Sequence, residues 1–220
     1  MMKFNILTIF PDIFNSYINE SILKRAQKKK LITIKTHNLR DVISNRHKTV
    51  DDKPYGGGPG MVMMVEPIYK TLKKIKREKK FRVIMLDPAG EQFSQKTASE
   101  LAELNQLIMI CGRYEGIDAR VDEFIDQKIS IGPYVLSGGE LPSLIITEAV
   151  ARLLPGVLGH QDATKEETDA LEGYIEYPQY TRPETFIYRQ KRKTKKLSVP
   201  KILLSGNHQI IGEWRRKHRK

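Results

Sequence analysis

A single cysteine, Cys111, stands in the 220 residues, so no internal disulfide can form. Its apolar neighbours Met109 and Ile110 mark it as an inert core thiol rather than a nucleophile. The five histidines (His37, His47, His160, His208, His218) are scattered with no metal-ligand spacing, and there is no G-x-S-x-G nucleophile elbow. Zinc and hydrolase chemistry drop out on those grounds. Long apolar runs are missing as well: none approaches the ~20 residues of a membrane span. The apolar start, Met1 to Phe10, is too short and too soon broken by Pro11 to be a secretory signal. A soluble, cytoplasmic, globular protein is expected, and its 40% hydrophobic content suffices for a sizeable core.

Negative charge is also scarce. Lys and Arg number 38 against 26 Asp and Glu, a net charge of +12, which points to a polyanionic partner. Half of that excess falls between His160 and Lys220, where 14 basic side chains face 8 acidic ones. Dense clusters occupy Lys24 to Lys30, Lys70 to Arg82 and Arg189 to Lys196, with a basic end at Arg215 to Lys220. One such cluster is an ordinary solvated face; four together favour phosphate-backbone contact that weakens steeply with salt.

Alternating strand and helix signals run through residues 1–159. Lys3 to Ile9 and Ile32 to Thr36 read as strands around a basic helix, Glu20 to Lys30, and Glu66-Pro67 opens a helix to about Lys79. Val83 to Leu86, Leu107 to Ile110 and Ile129 to Ile131 are short apolar strands. Between the first two, a helix from Ser94, its cap, runs to Asn105. Another spans Leu141 to Leu154, with Pro142 in its first turn and Leu144, Ile145, Ala149 and Leu153 on one face. This is an α/β, parallel-sheet pattern. Residues 160–172 are polar, acidic and aperiodic, a linker or mobile loop, and residues 173–220 form a small basic domain ending in a helix, Gln209 to His218. There Trp214, four residues after Ile210, serves packing rather than base stacking.

Two glycine-bearing stretches, Cys111 to Asp118 (CGRYEGID) and Ile131 to Pro142 (IGPYVLSGGELP), each follow an apolar strand. They therefore sit at carboxyl ends of strands, where α/β sheets bind ligands. Their glycines permit close backbone approach, and Tyr114, Tyr134 and Leu136 offer flat or apolar surface to a planar ring. The third glycine cluster, Gly56 to Gly60, lacks the Gly-Lys-Ser/Thr ending of a P-loop and fails the G-x-G-x-x-G spacing. A nucleotide triphosphate or nicotinamide site is not indicated.

With VDDKPYGGGPGM (Val50 to Met61) and YPQYTRPE (Tyr177 to Glu184), these blocks resemble the bacterial tRNA (guanine-N1)-methyltransferase family of the SPOUT class. The resemblance covers most of the chain. It implies a SPOUT-type parallel sheet with a C-terminal trefoil knot, followed by a small α-helical C-terminal domain that binds tRNA. It also implies an obligate homodimer with active sites between subunits, and S-adenosylmethionine as methyl donor. The implied reaction is methylation of N1 of guanosine 37, just 3′ of the anticodon. A Mg²⁺ requirement is not readable from the sequence.

On that resemblance the donor pocket comprises Leu86, Asp87 and Pro88; Gly112, Tyr114, Glu115 and Gly116; and Ile131, Gly132, Pro133, Tyr134, Val135, Leu136, Gly138, Gly139 and Pro142. Glu115 would attract the donor's amino or sulfonium charge. Guanine N1 carries a proton at neutral pH, so a general base is required. The family's aspartate, aligned back from Gly173, falls on Thr168; Asp169, one residue on, is taken as the base, with Glu167 as substitute. Arg152 matches the family arginine that steadies guanine O6. Pro133 stands where the family commonly has aspartate, and Asp87 where it has serine, while the chain stops soon after Trp214. A SPOUT ribose 2′-O-methyltransferase and a catalytically silent RNA-binding protein are the alternatives. Residues His160 to Glu172 are expected to order when tRNA arrives.

Overall fold

The computed structural model describes residues 1–159, 175–191 and 193–219. The chain divides into two compact units, Met1–Gln161 and Asp162–Lys220.

In the first unit the strands are β1 (Met2–Thr8), β2 (Ile32–Asn38), β3 (Asp51–Asp52), β4 (Val62–Met63), β5 (Phe81–Gln92), β6 (Gln106–Cys111) and β7 (Gln127–Ser130). Five of them form one sheet in the order β2-β1-β6-β5-β7, every pairing parallel. β6 is buried along its whole length, as a strand covered on both faces must be. Alternation then splits its side chains between two cores. Leu107, Met109 and Cys111 join Phe4, Ile6, Leu101 and Val150, whereas Ile108 and Ile110 join Leu7, Met85, Ile68 and Leu72.

The helices that cover these faces are α1 (Asn15–Ile18), α2 (Ser21–Lys28), α3 (Val65–Lys74), α4 (Gln95–Ala102) and α5 (Glu140–Leu153). Ser94 caps α4 as expected, its Oγ accepting from the Thr97 amide at 3.2 Å. Two expectations need correction. α3 stops at Lys74 rather than near Lys79, because the buried Gln106 side chain donates to the Lys76 carbonyl and accepts from the Glu78 amide, both at 3.0 Å. Those two backbone groups are thereby satisfied outside a helix. The buried face of α5 is Ser143, Leu144, Thr147, Val150 and Ala151, together with Ile146, while Ile145 is 46% exposed beside Leu141 at 56%. Ala149 and Leu153 still pack partly against the core.

β5 is longer than the apolar run suggested. Its pairing with β7 shifts between Leu86 and Glu91, so that both face Ile129 and the intervening residues bulge out. Gly90 is needed there: a Cβ would lie 2.6 Å from Ile129 N and from the Lys128 carbonyl carbon. The bulge carries Asp87 and Pro88 to the sheet edge.

The second unit holds a hairpin of β8 (Thr185–Gln190) and β9 (Lys193–Ser198), a 3-10 turn at Lys201–Leu204, and α6 (His208–His218). An all-helical C-terminal domain is thus corrected to a mixed one. Thr185, Phe186, Ile187 and Tyr188 favour strand, and the basic residues opposite mask that signal in the sequence. Asn207 caps α6 by accepting from Gln209 N and Ile210 N at 3.1 and 3.3 Å. Trp214 packs on the His218 ring at 4.1 Å and edge-on to Tyr180 at 6.3 Å.

Candidate functional site

Three loops converge at the carboxyl edge of the sheet: Leu86 to Pro88 at the β5 bulge, Gly112 to Ile117 after β6, and Ile131 to Gly139 after β7. Between them lies a cleft of about 320 Å³. The approach is close because Gly139 permits it: a Cβ there would lie 2.7 Å from Cys111 Cα and 3.1 Å from Gly112 N. Instead the Gly139 amide donates to the Gly112 carbonyl at 2.9 Å, and Arg113 bridges Gly138 in antiparallel fashion. Two chain segments that are distant in sequence become one wall.

A buried charge pair fastens that wall. The Glu140 side chain is 2% exposed, accepts from Arg113 Nε at 2.9 Å and accepts from Thr8 Oγ1 at 2.8 Å. The Arg113 guanidinium also lies 4.8 Å from the centre of the Phe10 ring. Residues 61–63 form a strap beneath the same loop: Glu115 N donates to Met61 O, Met63 N to Gly116 O and Asp118 N to Met63 O, at 3.0, 2.9 and 3.0 Å. Tyr114 is held with φ at 60°, a left-handed conformation that costs a non-glycine residue on the order of 1–2 kcal/mol. Such strain persists only where surrounding bonds over-determine it. Cys111 lies wholly buried with Sγ 3.6 Å from Ser143 Oγ, and burial pushes its thiol far up, consistent with an inert core group.

The expected donor-site residues gather here with one exception. Leu86, Asp87, Pro88, Gly112, Tyr114, Glu115 and Gly116 line the cleft, as do Ile131, Gly132, Tyr134, Val135, Leu136, Gly138, Gly139 and Pro142. Pro133 lies in the same loop, exposed and off the lining. Arg113 and Ser137, inside the same loops, line it too, as do Ile117, Ile129 and Ser130, which lie outside the pocket stretches expected from sequence. Arg113 and Glu140 sit inside the two quoted motifs, but no periodicity links residues 27 apart. Arg152 is in the last turn of α5, half-buried and not on the cleft. Twelve residues of helix put it about 18 Å along the axis from Glu140. Asp169, Thr168 and Glu167, and the whole segment 160–172, lie outside the described residues.

Among the described residues no group of three or more His, Cys, Asp or Glu is gathered as a metal site would require. Nor is any of their helices long and apolar enough to cross a membrane.

A family model described as tRNA (Guanine-1)-methyltransferase TrmD matches residues 2–220. The chain belongs to this family. Among its relatives, the tRNA (guanine-N(1)-)-methyltransferase of Dictyoglomus turgidum is 52% identical over 217 residues, covering 99% of this chain and 84% of its own. That of Carboxydothermus hydrogenoformans is 51% identical, covering 98% and 82%, and that of Staphylococcus haemolyticus 45%, covering 99% and 86%. For a tRNA (guanine-1)-methyltransferase the cleft has a fitting electrostatic character: among the described residues its lining carries the carboxylates of Asp87 and Glu115, while the guanidinium of Arg113 is paired with Glu140. A cationic, partly planar ligand suits it better than a phosphate.

Proposed function

We propose that the chain methylates N1 of guanosine 37 in tRNA with S-adenosylmethionine as donor, in the cytoplasm, as a homodimer with a SPOUT-type knotted sheet. The observation that carries the reading is the cleft itself, three loops, two of them glycine-bearing, closed on each other with two carboxylates and no unpaired cation among its described lining. When bound, the donor supplies an electrophilic methyl group on a positively charged sulfur. Leu86, Pro88, Tyr134 and Leu136 give apolar surface to its ring, and backbone of the loop 131–136 selects its polar edge. Asp87 and Glu115 favour its cationic portion.

The remaining chemistry falls to two side chains. The Asp169 carboxylate would accept the N1 proton as the new carbon–nitrogen bond forms and the methyl's bond to sulfur breaks, leaving the donor as a neutral thioether; the base contributes about 10²- to 10⁴-fold. The Arg152 guanidinium balances the charge that grows on O6. Helix length keeps Arg152 from the cleft of its own chain, which supports a site completed by a second copy. The exposed Leu141 and Ile145 lie on the same α5 and offer that copy apolar surface.

Radiolabelled methyl transfer to tRNA transcripts bearing guanosine or adenosine at position 37 tests the reading. Only the guanosine transcript is expected to accept label. Asp169→Ala and Arg152→Ala are each expected to lower turnover at least 100-fold with donor affinity intact. Should Glu167→Ala alone abolish turnover while both substrates still bind, the base is Glu167.

A further inference from the structure

The β8–β9 hairpin has a composition that a packed surface does not explain. From Thr185 to Ser198 the sequence has six Lys and Arg and no Asp or Glu. In the antiparallel register Phe186 opposes Leu197, Tyr188 opposes Lys195 and Gln190 opposes Lys193, so all six side chains share one face. The Phe186 and Tyr188 rings on that face are stacked, 5.8 Å apart and 11° from parallel, and Phe186 is 54% exposed. Lys193 and Lys195 are exposed beside them. The opposite face carries Ile187 and Arg189 against Lys196 and Thr194, with no ring.

A parallel ring pair flanked by ammonium groups is the arrangement that takes an unpaired base on its π-face and the neighbouring phosphates on its cations. Bases inside a duplex are already stacked and offer no such face. The absence of any carboxylate on the hairpin removes the repulsion that would discourage a polyanion. We infer that this face is an RNA-binding platform: Phe186 stacks on an unpaired nucleotide of the tRNA substrate, and Lys193 and Lys195 hold the adjoining phosphates. The inference rests on the tRNA methyltransferase reading and adds a contact remote in sequence from the donor loops.

Binding of the full-length protein to its tRNA, to the isolated anticodon stem-loop and to a fully paired hairpin of equal length decides it, with donor affinity measured by calorimetry as the check on folding. Phe186→Ala is expected to weaken binding to tRNA and stem-loop about ten-fold and to leave the paired hairpin unaffected. Phe186→Tyr should restore it. Lys193→Ala with Lys195→Ala should make the salt dependence shallower by about 1.4 in log–log slope, since each contact on a single strand contributes about 0.7. Ile187→Ser, on the other face, should bind as the parent does. Parental affinity in Phe186→Ala, an equal loss in Ile187→Ser, an equal loss on the paired hairpin, or an unchanged salt slope would each overturn the platform while the parent still methylates tRNA. A parent protein that neither binds nor methylates tRNA would instead overturn the functional reading beneath it.

Discussion

Glu140 shows how much of this site rests on single groups. A carboxylate this deeply buried survives because Arg113 and Thr8 both donate to it, and removing one partner of such a pair costs about 3–5 kcal/mol. Arg113→Met should therefore lower the unfolding free energy by about that amount and weaken donor binding, because the Arg113 loop is a wall of the cleft. Adding Glu140→Met should recover most of the stability, read from the urea midpoint, since the stranded charge goes with it. His37 gives a pH test. Burial lowers its pKa, with Lys35 adding to the effect, and Nε2 donates to Asn5 Oδ1 at 2.9 Å. The folded protein resists protonation that the unfolded chain accepts near pH 6.5. Stability is thus full above that value and falls as pH drops below it. His37→Asn should flatten the decline between pH 7 and 5 in urea titrations. Neither feature could be read from the sequence. Thr8, Arg113 and Glu140 come from three separate stretches, and His37 gives no sign of what lies beside it.

At the scale of elements, the strands were legible because parallel strands buried on both faces are continuous apolar runs, and Leu107 to Ile110 stands out for that reason. The errors have physical sources. The lysine-rich residues after α3 have good helix propensity, so only Gln106, some 30 residues on, reveals that the helix stops at Lys74. Gln106→Leu would strand the Lys76 carbonyl and the Glu78 amide, costing about 1–3 kcal/mol in urea unfolding. On α5 the apolar pattern runs nearly all round the helix, which hid the exposure of Leu141 and Ile145. The cleft loops tolerate no thickening: Gly139→Ala presses a methyl group onto backbone at Cys111 and Gly112. Overpacking of that kind costs about 1–3 kcal/mol, and calorimetry should record a weaker donor affinity of about ten-fold or more.

For the molecule as a whole, charge and motif together carried most of the meaning. Composition indicated a nucleic-acid partner, and the glycine loops placed a ligand at the sheet edge, but neither specifies a guanine nitrogen. That came from the resemblance of the four quoted blocks to a known family, which the match over residues 2–220 bears out. Arg152 illustrates what the motifs withhold, since the block that names it says nothing of its place at the far end of α5, off the cleft. The tRNA affinity of the whole protein should fall steeply with salt, as expected where half of the positive excess lies in the last 61 residues. The most direct measurement is to supply methyl-labelled S-adenosylmethionine and tRNA, digest the product to nucleosides and identify the labelled one by mass spectrometry. The account predicts label in 1-methylguanosine alone, and none when position 37 is adenosine; label in a 2′-O-methylated nucleoside, or in none, would contradict it.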